Sequence, residues 1–122
     1  MKKVLVIDDD MTFVAMMKAA LDPAKYTVSS AANGEEGLKE VESSRPDLIL
    51  LDIMMPKMDG MEFLKQVNEK YGKGSIPVLI TSNISSMEKI SEGVSLGIHG
   101  YFVKSDESLQ GIMDIIDRAF VK

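Results

Sequence analysis

Two hydrophobic periods alternate along the chain. Five short apolar runs, several of them rich in β-branched residues, are each predicted to form a strand, at residues 3–8, 26–31, 47–52, 76–82 and 100–104. The segments that follow them carry apolar residues three or four positions apart, which is the spacing of one helix face, as at Phe13, Met17 and Leu21. The pattern therefore predicts a strand followed by a helix, repeated five times.

The third run, DLILLD, is continuously apolar between its two aspartates, Asp47 and Asp52. Such a run is typical of a central parallel strand that is covered on both faces. Strands separated by helices pair in parallel, with right-handed crossovers that place helices on both sides of the sheet. We therefore predict an α/β fold of five strands and five helices, formed as one domain over residues 1–122.

Local signals mark where the helices begin and end. Pro23 follows the first helical segment, and Asn33-Gly34 precedes the second. Asp59 is followed three residues later by Glu62, the spacing of a capping box for the third helix. The fourth and fifth helices are predicted from apolar residues at Met87, Ile90 and Val94, and at Leu109, Ile112, Met113, Ile116 and Phe120.

Chemically active side chains are concentrated where the predicted strands end. In open α/β sheets, ligands bind beyond the carboxyl ends of the strands. Four of the strands end in carboxylate, hydroxyl, amide or ammonium side chains: Asp8, Asp9 and Asp10; Asp52; Thr81, Ser82 and Asn83; and Lys104. These groups are therefore expected to converge on one edge of the sheet.

The predicted cluster of carboxylates needs a counter-ion. Two like charges about 4 Å apart repel by roughly 4 kcal/mol at an effective dielectric of about 20, a large share of a stability of about 5–15 kcal/mol. A hard divalent cation relieves this repulsion, and Mg²⁺ in particular keeps positions open for phosphate oxygens. An ammonium at the same edge suits a visiting anion better than it suits the metal. The set of groups therefore predicts phosphoryl transfer to an aspartate.

Composition excludes several other classes of function. The 14 Lys and Arg residues are outnumbered by 19 Asp and Glu, a formal net charge of −5, so direct binding to DNA or RNA is disfavoured. No apolar run is long enough to cross a membrane, and the start of the chain turns acidic too early for a signal peptide. With no cysteine and one histidine, disulfides are excluded and a zinc site is disfavoured. A cytoplasmic protein without membrane insertion is expected.

Taken together, these residues resemble the receiver domain of bacterial two-component response regulators. The resemblance rests on the acidic pair Asp8-Asp9, on MMPKMDG after Asp52, and on Thr81 and Lys104, and it extends over the whole chain. It implies a doubly wound, flavodoxin-like sheet with the strand order 2-1-3-4-5. It also implies a phosphorylation-regulated signalling domain rather than an enzyme that acts on a separate substrate.

The resemblance implies roles for the acidic residues. Asp52 would accept a phosphoryl group from a sensor histidine kinase or from a small acyl phosphate. Asp9 would bind Mg²⁺ together with Asp52 and the backbone carbonyl of Met54, while Asp8 would act partly through water. The domain would catalyse this transfer and its own dephosphorylation.

The resemblance also implies a conformational switch. Lys104 would contact the phosphoryl oxygens, Thr81 would turn towards them, and Tyr101 would move between exposed and buried rotamers. The surface of the fourth helix, fifth strand and fifth helix would then bind a downstream effector protein, as a monomer or as a phosphorylation-dependent dimer. Because the chain has no length to spare for an output domain, a single-domain type is expected, with its output in another protein.

One departure from the family pattern follows the lysine. The family commonly has a proline there, often after a cis bond, where this chain has Ser105. A cis bond before a non-proline residue costs about 2.5–4 kcal/mol, so a trans bond or a rearranged loop is expected. Met54 and Asn83 lie two residues beyond Asp52 and Thr81, where side chains can gate the attacking water, so they bear on the rate of dephosphorylation.

Simpler roles remain open for several of these residues. Carboxylates favour helix N-termini, so Asp10 above all is a candidate cap for the first helix. Tyr101 is explained almost as well by packing in the core or partly in the core. His99 and the pair Asp59-Gly60 are expected in turns or on the surface.

A competing enzyme hypothesis comes from VLVIDDDMT. The spacing Asp8-x-Asp10-x-Thr12 resembles the nucleophile motif of haloacid-dehalogenase-type phosphatases, in which Asp8 would carry the phosphoryl group and Asp10 would be the acid and base. The chain is short for that family, however, and Asp52 precedes Lys104 instead of following it. A flavin-binding domain is disfavoured because three aspartates would repel the flavin phosphate, and a domain that is never phosphorylated leaves the acid–hydroxyl–lysine set unexplained.

Overall fold

Five parallel strands form a single sheet. The computed structural model describes residues 1–53, 58–82, 91 and 93–120. Within these residues the strands are β1 (Lys2–Ile7), β2 (Tyr26–Ala31), β3 (Leu48–Asp52), β4 (Val78–Ser82) and β5 (Gly100–Val103). All neighbouring strands pair in parallel, and their spatial order is β2-β1-β3-β4-β5. The predicted sheet and strand order are confirmed.

Helices connect the strands. They are α1 (Met11–Ala20), α2 (Gly34–Ser44), α3 (Gly60–Tyr71), α4, of which residues 91 and 93–95 are described, and α5 (Leu109–Ala119). Most of the segment predicted as the fourth helix, including Met87 and Ile90, lies outside the described residues. None of the described helices has the length and apolar character needed to span a bilayer.

The sheet buries one apolar core on each face, because alternate residues of a strand point to opposite sides. Val4 and Val6 of β1 pack in one cluster with residues of α1 and α5. Leu5 and Ile7 pack in another cluster with residues of α2 and α3. This division places helices on both faces and confirms the doubly wound arrangement.

Strand β3 lies at the centre of the sheet, between β1 and β4. Its residues Leu48 to Leu51 have no exposed surface, which explains why the run is apolar on both faces. Asp52, the last residue of the strand, is 5 % exposed. The fold therefore carries a carboxylate to the buried end of its central strand.

Candidate functional site

Three carboxylates meet at the carboxyl edge of the sheet. Asp8 and Asp9 follow β1, and Asp52 ends β3 beside it. Each offers one oxygen, and these oxygens lie within 4.8 Å of one another. Asp8 and Asp52 are buried, whereas Asp9 is exposed. The predicted convergence of acidic groups is therefore present in the fold.

Asp8 is held from two sides. Its Oδ1 accepts a hydrogen bond from the backbone N–H of Asp10 at 2.9 Å. Its Oδ2 lies 2.5 Å from the ammonium nitrogen of Lys104. The Asp8 side chain has no exposed surface, so this ion pair lies inside the protein. The sequence reasoning assigned Lys104 to a visiting anion and missed this pairing with an acidic residue.

Lys104 reaches the site from the end of β5, the edge strand of the sheet. It begins a 3-10 turn (Lys104–Asp106) directly after β5, instead of ending the strand as predicted. No cis peptide bond occurs among the described residues, so the bond to Ser105 is trans, as expected without proline. The Lys104 side chain is 8 % exposed, and its nitrogen lies 4.4 Å from the centroid of the Phe13 ring. A buried ammonium therefore stands beside the acidic cluster.

Thr81 brings a hydroxyl to the same edge. It pairs in register with Asp52 across β3 and β4, which places the two residues side by side. Thr81 is 1 % exposed, and its Oγ1 has no hydrogen-bond partner in the described part of the chain. A buried hydroxyl without a partner is uncommon, because its desolvation is left uncompensated. The position suits a group that gains its acceptor when a ligand enters.

The carboxylate cluster, the ammonium and the unpartnered hydroxyl agree with one family. The family model described as the response regulator receiver domain matches residues 4–116 of the chain. The chain belongs to that family. The match does not favour the dehalogenase-type phosphatase hypothesis.

Curated relatives of this receiver domain include longer regulatory proteins. The chain is 39% identical over 104 residues to the alkaline phosphatase synthesis transcriptional regulatory protein PhoP of Bacillus subtilis, covering 84% of the chain and 42% of that protein. It is 34% identical over 125 residues to the transcriptional regulatory protein YdfI of the same organism, covering 99% of the chain and 57% of that protein. The chain therefore spans about half the length of these relatives.

Solved structures resemble the receiver domain over nearly its whole length. The chemotaxis response regulator CheY4 of Vibrio cholerae superimposes with a TM-score of 0.87 at 34% identity, covering 97% of this chain and 98% of that one. The phosphorylated cyanobacterial phytochrome response regulator RcpA gives a TM-score of 0.82 at 26% identity, covering 97% and 90% of the two chains. The fold is that of these response regulators.

Three other candidate residues of the receiver domain have different surroundings in the structure. Asp10 caps α1: its side chain accepts hydrogen bonds from the backbone N–H groups of Thr12 and Phe13 at 3.1 and 3.2 Å. Asp10 therefore has the structural role that the sequence left open. Tyr101 is 50% exposed, so full packing in the core is wrong, whereas partial packing agrees with the structure. His99 is exposed, as predicted.

Two sequence predictions fall outside the described residues. Met54, whose backbone carbonyl was assigned to the metal, and Asn83, a candidate gate for water, both lie there. Their roles stay predictions.

Close packing beside the end of β3 was missed from the sequence. Asp59 was read correctly as a cap, since its side chain accepts the Glu62 N–H at 2.9 Å. The next residue, Gly60, has a second role: a Cβ there would lie 2.7 Å from the carbonyl oxygen of Asp52 and 2.7 Å from Cα of Ile53. Helix α3 therefore rests directly on the backbone of the acidic site. A glycine at a helix start was the available signal, but a turn explained it equally well.

Proposed function

We propose that this receiver domain is a phosphoacceptor switch in which Asp52 takes a phosphoryl group from the phosphohistidine of a sensor kinase or from a small acyl phosphate. The observation that carries the proposal is the meeting of Asp8, Asp9 and Asp52 oxygens within 4.8 Å. Beside them stand the buried ammonium of Lys104 and the buried, unpartnered hydroxyl of Thr81. These are the groups that transfer to a carboxylate requires.

The donor set fits Mg²⁺. Its three groups are all carboxylates, the hard oxygen ligands that this ion prefers, and they come from two neighbouring strand ends. Asp8 Oδ2 is buried and contacts the Lys104 ammonium at 2.5 Å; a carboxylate oxygen has two lone pairs, so one remains for a metal. When bound, the ion supplies positive charge that neutralises the phosphoryl oxygens and the carboxylates together. Asp8, Asp9 and Asp52 would hold it, with the carbonyl of Met54 as a further predicted ligand.

The transfer itself requires one bond to form and one to break. A carboxylate oxygen of Asp52 attacks the phosphorus, and the bond from phosphorus to the kinase histidine nitrogen, or to the oxygen of the acyl phosphate, breaks with that atom keeping the electron pair. Lys104 stabilises the charge on the phosphoryl oxygens. The hydroxyl of Thr81 donates a hydrogen bond to one of them. Later attack by water on the same phosphorus releases inorganic phosphate and restores the Asp52 carboxylate.

The signal leaves through a surface near the site. Thr81 pairs in register with Phe102 of β5, so its movement towards the phosphoryl group bears on the strand that carries Tyr101. Tyr101 is half-exposed on β5, the edge strand of the sheet. The surface of α4, β5 and α5 then binds a downstream effector protein, with the domain acting in the cytoplasm as a monomer or a phosphorylation-dependent dimer.

Phosphate uptake tests the proposal. The protein is incubated with acetyl phosphate and Mg²⁺, and intact mass and peptide mapping identify the modified residue. Wild type is expected to gain one phosphoryl group on Asp52, and Asp52→Asn none. Asp47→Asn is the matched control, because Asp47 lies at the opposite end of β3 and accepts the Lys3 N–H there. Modification of Asp8 instead, or turnover of p-nitrophenyl phosphate that persists in Asp52→Asn, would favour the phosphatase hypothesis.

A further inference from the structure

We infer that Phe13 is a positioning residue for Lys104: its ring holds the lysine ammonium at the acidic site while leaving the two N–H donors that do not face Asp8 available to the phosphoryl oxygens. The inference rests on the proposed function, which it deepens. Phe13 is not one of the residues that would bind the phosphoryl group or the metal. It acts through Lys104.

The geometry is that of a cation–π contact. The Lys104 nitrogen lies 4.4 Å from the ring centroid of Phe13, inside the range of about 6 Å in which an ammonium is attracted by the face of an aromatic ring. Phe13 is 5 % exposed and the Lys104 side chain 8 %, so water screens the contact little. Such contacts are stronger when they are desolvated.

The remaining contact of the ammonium leaves two of its donors available. A lysine ammonium has three donors. The Lys104 nitrogen lies 2.5 Å from Asp8 Oδ2, and this charge-assisted contact occupies one of them. An aromatic ring attracts the charge without accepting a conventional hydrogen bond, so it can hold the ammonium in place and still leave the other two donors for an incoming anion.

Local structure fixes the start of the helix that carries Phe13. Asp10 caps α1 by accepting the N–H of Phe13, so the start of the helix is set by the same acidic segment that supplies the cluster. On the other side, Lys104 lies in a 3-10 turn with a trans bond to Ser105. No proline ring restrains the segment after the lysine. The contact with Phe13 is therefore a restraint on Lys104 from outside its own segment.

The first test reports on the contact without any phosphorylation. Lysine Cε groups are labelled with carbon-13 in the metal-free protein, and Lys104 is assigned by its loss in Lys104→Ala. Its Hε protons are expected to lie upfield of those of the other lysines because of the Phe13 ring current, and Phe13→Leu should return them to the common range. Phe63→Leu, the same substitution in the core on the opposite face of the sheet, should leave them unchanged.

The second test measures the effect on the reaction. Phe13→Leu is expected to lower the rate constant of phosphate uptake from acetyl phosphate by about 3- to 10-fold, the loss of one partly desolvated cation–π contact. In a Lys104→Ala background the same substitution should change the rate by less than about twofold, because the two residues act as a unit. Phe63→Leu should have equal effects in both backgrounds.

Ring electronics separate positioning from packing. Replacing Phe13 with mono-, di- and trifluorophenylalanine keeps the ring in place while removing negative charge from its face step by step. The uptake rate is expected to fall with each fluorine, whereas a residue that merely fills space would give a constant rate.

The outcomes distinguish the inference from the function on which it rests. An unshifted Lys104 signal, a rate in Phe13→Leu equal to wild type, or equal effects in both backgrounds would overturn the role of Phe13 while leaving Asp52 as the acceptor. A shifted Lys104 signal in a protein that takes up no phosphate on Asp52 would instead overturn the proposed function.

Discussion

The ammonium of Lys104 lies 2.5 Å from the carboxylate of Asp8, although their strands are separated in the sheet by β3 and β4. The lysine side chain therefore extends across the end of β3, where Asp52 lies. In the absence of metal it supplies positive charge to the acidic cluster. An internal cation and Mg²⁺ would consequently compete for the same carboxylates.

Removal of the internal cation should strengthen metal binding. Lys104→Met is expected to raise Mg²⁺ affinity by about fivefold or more, since even in water two unit charges at about 4 Å interact by about 1 kcal/mol. Lys70→Met is the control, because Lys70 pairs with Glu42 on the exposed surface and the change in net charge is the same. Titration calorimetry measures both; an affinity in Lys104→Met that is unchanged or weaker contradicts the competition.

The exposed member of the acidic cluster should bind the metal. Asp9→Asn is expected to weaken Mg²⁺ binding by about tenfold or more, because it removes a unit charge at ligand distance. Asp10→Asn offers a control in the same segment, since asparagine caps a helix as well as aspartate does and Asp10 is outside the cluster. Equal affinities of the two variants in a Mg²⁺ titration would exclude Asp9 as a ligand.

Removing the unpartnered hydroxyl of Thr81 should favour the unphosphorylated protein and impair its response to phosphorylation. Thr81→Val removes a buried polar atom that has no partner, so the unphosphorylated protein should be as stable as wild type or up to about 1–3 kcal/mol more stable. The conformational response should be blunted, because the hydroxyl is no longer there to bond the phosphoryl group. Thermal unfolding checks the first point, and the shift of the Tyr101 ring signals on addition of acetyl phosphate checks the second. A full wild-type response in Thr81→Val would remove Thr81 from the switch.

The hydroxyl groups of two tyrosines should contribute differently to the free energy of unfolding. The hydroxyl of Tyr26 donates a hydrogen bond to Asp117, whereas the buried hydroxyl of Tyr71 has no partner in the described part of the chain. Tyr26→Phe should therefore lower the free energy of unfolding by about 1 kcal/mol, and Tyr71→Phe should leave it unchanged or raise it. Denaturant titrations measure both, and equal losses in the two variants would show that the bond to Asp117 contributes nothing.

The same hydrogen bond makes stability depend on alkaline pH. Burial, followed by the hydrogen bond and charge of Asp117, raises the pKa of Tyr26 from 10.0 to about 12. Above pH 10 the unfolded phenol loses its proton while the folded one keeps it, so folding stability falls with rising pH until the folded group titrates. The difference in free energy of unfolding between wild type and Tyr26→Phe should be constant below pH 10 and shrink as pH rises from there to about 12.

Packing at the start of α3 should control the position of the Asp52 backbone. A Cβ at Gly60 would meet backbone atoms of Asp52 and Ile53, which cannot move aside without shifting the site. Gly60→Ala is expected to cost about 1–3 kcal/mol of stability and to slow phosphate uptake. At Gly111 a Cβ would come closest to the end of the exposed Glu107 side chain, at 2.8 Å, so Gly111→Ala should be neutral or stabilise α5 by up to about 1 kcal/mol. Thermal unfolding and uptake rates compare the pair, and equal behaviour of the two variants contradicts the argument.

Much of the acidic site could be predicted because parallel strands all end at one edge of the sheet. Once DLILLD was recognised as a central parallel strand, Asp52 was expected at the same edge of the sheet as Asp8 and Asp9. The strand order implied by the family resemblance made β1 and β3 neighbours, and the three carboxylates do meet there. The position of Thr81 at this edge was predicted by the same rule, and Thr81 pairs with Asp52 in register. The periodicity of apolar residues is a local property of the sequence, and the alternation of strands with helices indicates parallel strands. Both can therefore be predicted without information on distant contacts.

The sequence by itself determined the architecture and the gathering of acids, hydroxyl and lysine at one edge. Tertiary structure alone decided that Lys104 pairs with Asp8 and lies against Phe13, that Tyr101 is half-exposed, and that α3 rests at Gly60 on the backbone of Asp52 and Ile53. These outcomes depend on side-chain reach and on close approach between distant elements. Spacing along the chain predicts which residues share an edge or a face, but the contacts between them are set by packing in three dimensions.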